Sequence, residues 1–350
     1  MANDYFKRVA KLTPTKFWIN NPTREEAHWA IDASAVGCTC NPSYCAKMLF
    51  DRPAEKEYAS TLLDEVIQDA DSATGAEEEL QRRLVKEIAE IFMPLYQAAP
   101  KENGYVSIQG DPINEEDPEV IIREARKNRA VADNICCKIP TTEPGLKAME
   151  TLVAEDIPIN ATEVFAIQQA LDLCELYEKV SKESGKKPKF YISHITGIYD
   201  DYLKEVTERD NIDISPDVLY QAGLVIARKL YQIYIDRGYA VTFIGGGARG
   251  TQHFTEMVGG DVCITINWTG TADKLLEMNQ PVMERLFNPV PQYVVDELCE
   301  KLPDFKRGYF EGGISAHEYE EFGPVIKFRD SFVKDWNRIL DEAEKRLDKK

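Results

Sequence analysis

The stretch Asn134-Ile135-Cys136-Cys137-Lys138-Ile139-Pro140 carries a single charge, Lys138, in a short apolar run. The apolar residues on either side do not alternate with polar ones, so both faces of this strand are expected to be covered. Strands of a parallel sheet read this way, because helices pack on the sheet. Seven further runs have the same character: Lys16–Asn20, Val36–Asn41, Tyr105–Gln109, Pro158–Thr162, Lys189–His194, Ala240–Gly245 and Asp261–Ile266. With Ile135–Ile139 they make eight.

Helical patterns separate them. Thr23–Ala33 opens with Thr23 as an N-cap and Glu26 three residues on, a capping box. Glu77–Gln97 repeats Leu80, Leu84, Ile88 and Phe92 at four-residue spacing. Pro118–Asn128, Glu143–Glu155, Glu163–Lys182, Pro216–Arg237 and Asp330–Asp348 follow. Strand and helix in alternation predict an α/β fold, a (β/α)8 TIM barrel, as one domain over residues 1–350. A doubly wound open sheet is the rival, and the lack of a G-x-G-x-x-G after the first strand weakens it. Residues 46–103 read as an expanded helical crossover between strands 2 and 3. Residues 290–350 form a C-terminal helical addition. Within it Pro303–Pro324, with Tyr309, Phe310, Gly312, Gly313 and Tyr319, reads as an irregular lid, contact segment or loop.

The net charge of -18 repels phosphate backbones, so no nucleic-acid partner is expected. It does not exclude a small anion held by one Arg. No run approaches the roughly 18 apolar residues of a membrane span, and the N-terminus lacks a signal-like apolar stretch. The expected location is the cytoplasm, with no membrane partner. There the eight cysteines are reduced thiols. Cys38, Cys40 and Cys45 lack a second ligand pair at zinc-like spacing, so no metal is assigned.

Lys138 is the residue that chemistry singles out. Burial disfavours an ammonium, and a neutral amine can attack a carbonyl to form an iminium. A strand lysine can equally point to solvent, so the spacing alone leaves both readings open.

Lys138-Ile139-Pro140-Thr141-Thr142-Glu143-Pro144-Gly145-Leu146 resembles the Schiff-base segment of the transaldolase family, Lys-Ile/Val-Pro-x-Thr-x-x-Gly-Leu. Further segments match in the same order. Thr39-Cys40-Asn41-Pro42-Ser43 is similar to Thr-Thr-Asn-Pro-Ser, and Ile159-Asn160-Ala161-Thr162 to Val-Asn-x-Thr. Ile192-Ser193 with Gly197 is similar to Ile-Ser-Pro-x-x-Gly. Gly245-Gly246-Gly247-Ala248-Arg249 is similar to Gly-Ala-Ser-x-Arg. All sit at strand C-terminal ends, where barrel active sites lie.

The resemblance implies a lysine Schiff base with a ketose, a sugar or sugar phosphate, and aldol chemistry on a dihydroxyacetone unit. It implies Lys138 as nucleophile, and Asn41 and Asn160 as hydrogen-bonding partners of substrate hydroxyls. Thr162 orients a water or hydroxyl. Ser193 and Arg249, with the Gly246 and Gly247 backbone, hold a distal anionic group. No cofactor is required, because the lysine is the electron sink.

Three departures stand out. Asn20 occupies the place of an acidic residue at the end of the first strand. Gln109 stands where transaldolases have Glu, as it does in fructose-6-phosphate aldolases. Gly197-Ile198 lacks a second anion-binding Arg. His194 and Tyr199 are candidate general acids in the neighbouring loop. The alternatives are a free aldolase, or a catalytically impaired barrel relative that binds a sugar-like ligand. Oligomeric state stays open, a homo-oligomer included.

Overall fold

A computed structural model describes residues 3–350. Eight parallel strands close into a barrel in chain order. They are β1 Lys16–Asn20, β2 Ala35–Cys40, β3 Val106–Gln109, β4 Ile135–Pro140, β5 Ile159–Val164, β6 Phe190–His194, β7 Thr242–Gly245 and β8 Val262–Ile266. Each expected strand is present, within two residues at either end. The fold is a (β/α)8 TIM barrel.

Side chains alternate across each strand, and the register decides which enter the lumen. Lys138 lies beside Gln109 of β3 and Asn160 of β5. Asn20 lies beside Thr39, and Ser193 beside Ile244. One rung lower, Trp18, Tyr105, Cys136, Tyr191, Ile244 and Cys263 form a separate buried cluster that plugs the N-terminal end. Trp18 meets Tyr191 edge-on, with ring centroids 5.0 Å apart. Gly37 makes this plug possible, because a Cβ there would lie 2.2 Å from the Trp18 ring. The alternate, outward residues join the main core between sheet and helices. Cys38, Cys40 and Cys45 belong to that core; all eight cysteines are free.

The expected insertion after β2 holds a short turn at Tyr44–Ala46 and a π-helical turn at Lys47–Asp51. Helices Pro53–Asp69 and Ala73–Ala98 follow. The capping box of the Thr23 helix is formed, with Glu26 N–H donating to Thr23 Oγ1 and Thr23 N–H to the Glu26 carboxylate. The last helix, Gly323–Leu347, starts seven residues earlier than its pattern suggests. It lies against the insertion through Arg338–Asp51 and Arg346–Asp64 ion pairs, each with an N–O distance of 2.8 Å.

Three local expectations change. Pro216–Arg237 is two helices, Pro216–Leu219 and Ala222–Arg237. Pro303–Pro324 is no loose loop. It folds as helix Pro303–Tyr309 and a 3-10 turn Ala316–Glu321, with Tyr319 and Phe322 in a second core cluster. The helix expected from Glu163 begins at Ile167, because β5 continues to Val164.

Candidate active site

The β4 register turns Lys138 into the lumen, where it is 7% exposed. Its Nζ donates to Gln109 Oε1 at 3.0 Å. It also sits 5.4 Å and 5.9 Å from the ring centroids of Phe332 and Phe328 on the C-terminal helix. Burial pushes its pKa down to about 8, against the opposing pull of Glu163, Cys40 and Glu115 and with help from Lys47. An appreciable fraction of the amine is therefore neutral near pH 7 to 8, as nucleophilic attack needs.

Around Lys138 the lumen is lined with amides and hydroxyls. Asn160 accepts from Ser193 Oγ at 2.7 Å and donates to Ser107 Oγ at 3.3 Å. Thr39 Oγ1 donates to Asn20 Oδ1 at 2.8 Å, which makes Thr265 the donor in its 2.7 Å bond to Thr39. Asn20 Nδ2 donates to Asn267 Oδ1 at 2.9 Å. Asn41 is partly a turn residue: its Oδ1 accepts from Asn21 Nδ2 and from Ser43 N–H. Its side chain still reaches the cleft wall. These groups donate and accept without net charge, which suits a polyhydroxylated ligand.

The cleft above Lys138 encloses about 200 Å³. Its far end is cationic and glycine-rich, with Gly246, Gly247, Arg249 and Lys47 in the wall, and Ser331 and Asp335 from the C-terminal helix. Arg249 pairs with Asp201 and also donates to the Gly247 and Ala248 carbonyls. Its backbone N–H donates to His253 Nδ1 at 3.0 Å, and His253 Nε2 meets Asp200 Oδ2 at 2.7 Å. That chain fixes the loop that presents the guanidinium. The loop after Ser193 packs tightly on the loop after β7: a Cβ on Gly197 would be 2.3 Å from the Gly247 carbonyl oxygen. Lys47 stands on the π-helical turn, where burial lowers its pKa against the pull of Asp335.

Two expected residues are elsewhere. Ser193 faces the lumen, so its neighbour His194 must face out. Its ring nitrogens lie 3.0 Å and 3.1 Å from the carbonyl oxygens of Val164 and Gly223, and burial lowers its pKa to about 4. Tyr199 is fully buried, stacks near Phe305 and donates to the Asp304 carbonyl. Neither side chain lines the cleft, so the general-acid expectation for both is set aside. Thr162 lies beside Pro140 in register, fully buried, and its Oγ1 has no hydrogen-bond partner among the described residues.

Sequence reasoning passed over Glu163, Lys47, Phe328 and Phe332. Glu163 reads as a helix start. Instead it sits in β5 with φ 63°, where the register with β6 slips between Ala161 and Val164. This bulge turns its carboxylate inward, to accept from Gln109 Nε2 at 3.1 Å. The available signal was a lone Glu within the otherwise uncharged run Ile159–Ile167.

A family model described as Transaldolase/Fructose-6-phosphate aldolase matches residues 17–316. A transaldolase of Saccharopolyspora erythraea is 27% identical over 230 residues, 62% of this chain and 61% of that one. The chain thus spans about three fifths of that relative's length. A transaldolase of Mycobacterium leprae is 23% identical over 90% of this chain and 88% of its own. One of Thermobifida fusca is 22% identical over 94% and 95%.

Proposed function

Because the chain belongs to the transaldolase/fructose-6-phosphate aldolase family, we propose that it forms a Schiff base between Lys138 and the carbonyl of a ketose. The observation that carries this reading is the buried Lys138 amine, held by Gln109 at the floor of a polar cleft. The neutral Nζ attacks the carbonyl carbon. The carbinolamine loses water to give an iminium, which accepts the electron pair of the breaking C–C bond. The product is an enamine of a dihydroxyacetone unit. That unit either adds to an aldehyde acceptor or takes a proton at carbon; in both cases water then hydrolyses the resulting iminium, which releases the ketone and returns the lysine amine.

Asn160, Asn41, Ser193 and Thr39 hold the hydroxyls of the ligand, and Phe328 and Phe332 cover the lysine. Arg249, the Gly246 and Gly247 backbone and Lys47 bind a terminal anion, a phosphate being the best fit to two cations and backbone donors. Lys47 thereby supplies the second cation that Gly197-Ile198 does not. The partner is a small ketose or sugar phosphate. Asn20 cannot take the proton of the C4 hydroxyl, and among the described residues the cleft wall holds one carboxylate, Asp335. A site this poor in bases favours slow cleavage and, as the second reading, free aldol addition over transfer.

Borohydride reduction with fructose 6-phosphate or dihydroxyacetone, followed by peptide mass spectrometry, tests the reading. A reduced three- or six-carbon adduct on Lys138 is expected. Folded protein that gives no adduct with any ketose would overturn it and favour the ligand-binding relative.

A further inference from the structure

We propose that Glu163 is a positioning residue: it sets the polarity of Gln109 and supplies the counter-charge for the Lys138 nitrogen, both as ammonium and as iminium. The inference rests on the Schiff-base reading above and deepens it.

The backbone gives the first argument. Glu163 has φ 63°, a left-handed conformation that a residue with a long side chain adopts at an energetic cost. It occurs inside a strand, at the slip that takes Ala161 opposite Ile192 and Val164 opposite His194. Without that bulge, strict alternation after Asn160 and Thr162 would send residue 163 outward, into the apolar layer under the helices. The strain is what brings a carboxylate to the mouth of the lumen.

The second argument is orientation. An amide offers an oxygen on one side and an NH2 on the other. Glu163 Oε1 accepts from Gln109 Nε2 at 3.1 Å, so Gln109 must present Oε1 to Lys138, at 3.0 Å. Turned over, Gln109 would set its NH2 against the ammonium. Glu163 therefore decides which end of Gln109 the lysine meets.

The third argument is charge. Glu163 is fully buried, and its Oε2 has no hydrogen-bond partner among the described residues. A buried carboxylate with a free lobe needs a nearby cation. Lys138 from β4 and Arg329 from the C-terminal helix are the cations that face it, and Glu115, from the loop after β3, is the competing acid. Lys138 in turn feels Glu163, Glu115, Cys40 and Lys47. Iminium formation keeps the positive charge on nitrogen: the ammonium and the carbonyl give an iminium and one water. Once ionised, an anion one amide away stabilises both cations relative to the neutral amine and carbinolamine.

The test is the pH dependence of cyanoborohydride trapping on Lys138 with dihydroxyacetone, for folded variants of the full chain. In Glu163→Gln the midpoint falls by about one unit, because an opposite charge has been removed, and the adduct yield at saturating ketose falls. Glu163→Asp keeps the charge and stays near the wild-type midpoint. The double variant Gln109→Glu with Glu163→Gln moves the carboxylate next to the lysine and restores the midpoint. A merely structural role would give the double variant no advantage over Glu163→Gln. Should Glu163→Gln not fold, Gln109→Glu alone carries the test, with an upward midpoint expected. A wild-type adduct with an unchanged midpoint in Glu163→Gln, a double variant that does not recover, or an unmoved Gln109→Glu midpoint each overturns the proposal. Absence of any wild-type adduct overturns the Schiff-base reading beneath it.

Discussion

The two ends of the barrel lumen are built by the same strands and do opposite things. At the N-terminal end Trp18, Tyr105, Cys136, Tyr191 and Cys263 form an apolar plug. Two residues further along β1, β4, β6 and β8, the same face presents Asn20, Lys138, Ser193 and Thr265. Bulk at one rung buys stability, and polarity at the next leaves room for a ligand. The polar rung is tolerated because its members bond one another, as Asn160 does with Ser193 and Ser107. A buried amine there can be neutral at modest cost, since burial already lowers its pKa to about 8.

The sharpest way to break this contrast is to remove the chemistry without touching the plug. Lys138→Met abolishes the borohydride adduct and lowers turnover by on the order of 10^4-fold, as loss of a covalent nucleophile does. Its melting temperature is unchanged or raised, because a desolvated amine is exchanged for a thioether of similar length. Steady-state kinetics and calorimetry on one preparation check both halves. A marked loss of stability would mean that the polar rung also holds the barrel together.

The converse variant is Trp18→Ala. Removing the largest side chain of the plug costs about 3–5 kcal/mol of stability, read by urea unfolding, while the affinity for ligand changes little. Gly37→Ala attacks the same place by overfilling it, with a Cβ 2.2 Å from the Trp18 ring, and costs about 1–3 kcal/mol. If either variant lost the adduct while remaining folded, the two ends would not be separable.

Within the polar end, Lys47→Met separates the anion end from the lysine. Loss of one charged contact, about 1.5–3 kcal/mol, raises KM for a phosphorylated ketose by roughly tenfold or more and leaves that for dihydroxyacetone nearly unchanged. Asn20→Asp is a smaller and opposite intervention. It returns a base to the end of β1 and is expected to raise C–C cleavage a few-fold, read as release of aldehyde from fructose 6-phosphate. No change in either substrate would count against phosphate binding at Lys47 or against a base-limited site.

The plug and the polar rung were also unequally legible. Eight apolar runs mark the barrel because a strand covered on both faces has few ways to be written, and Lys138 stands out against that background. The motif positions Asn41, Asn160, Ser193 and Arg249 border one cleft or bond to its wall. His194 was misjudged although alternation argued against it: with Ser193 facing in, the next residue faces out. Glu163 was hidden because a one-residue bulge overrides alternation; its one mark in the sequence is a lone charge in the run Ile159–Ile167, which also reads as a helix start. Lys47, Phe328 and Phe332 come from the insertion and the last helix, distant in sequence, and only tertiary packing brings them over the lysine.

The pH dependence of stability separates the two titrating groups of the polar rung. Burial raises the pKa of Glu163 to about 7, against Lys138, Gln109 and Arg329. Between its ordinary value near 4.5 and about 7 the native state then holds a proton that the unfolded chain has released. Its contribution is present below pH 4.5 and is lost as pH rises through 7. Lys138 has the opposite sign. Between about 8 and 10.5 the unfolded chain binds the extra proton, so its contribution is full above 10.5 and is lost as pH falls through 8. Urea midpoints of the wild-type protein followed across pH should therefore be lowest between 7 and 8 and rise on either side. Glu163→Gln flattens the acidic limb and Lys138→Met the alkaline one. If both variants left the curve unchanged, the two groups would exchange no proton with the fold, and the polar rung would owe its electrostatics to Glu115, Arg329 and Lys47 instead.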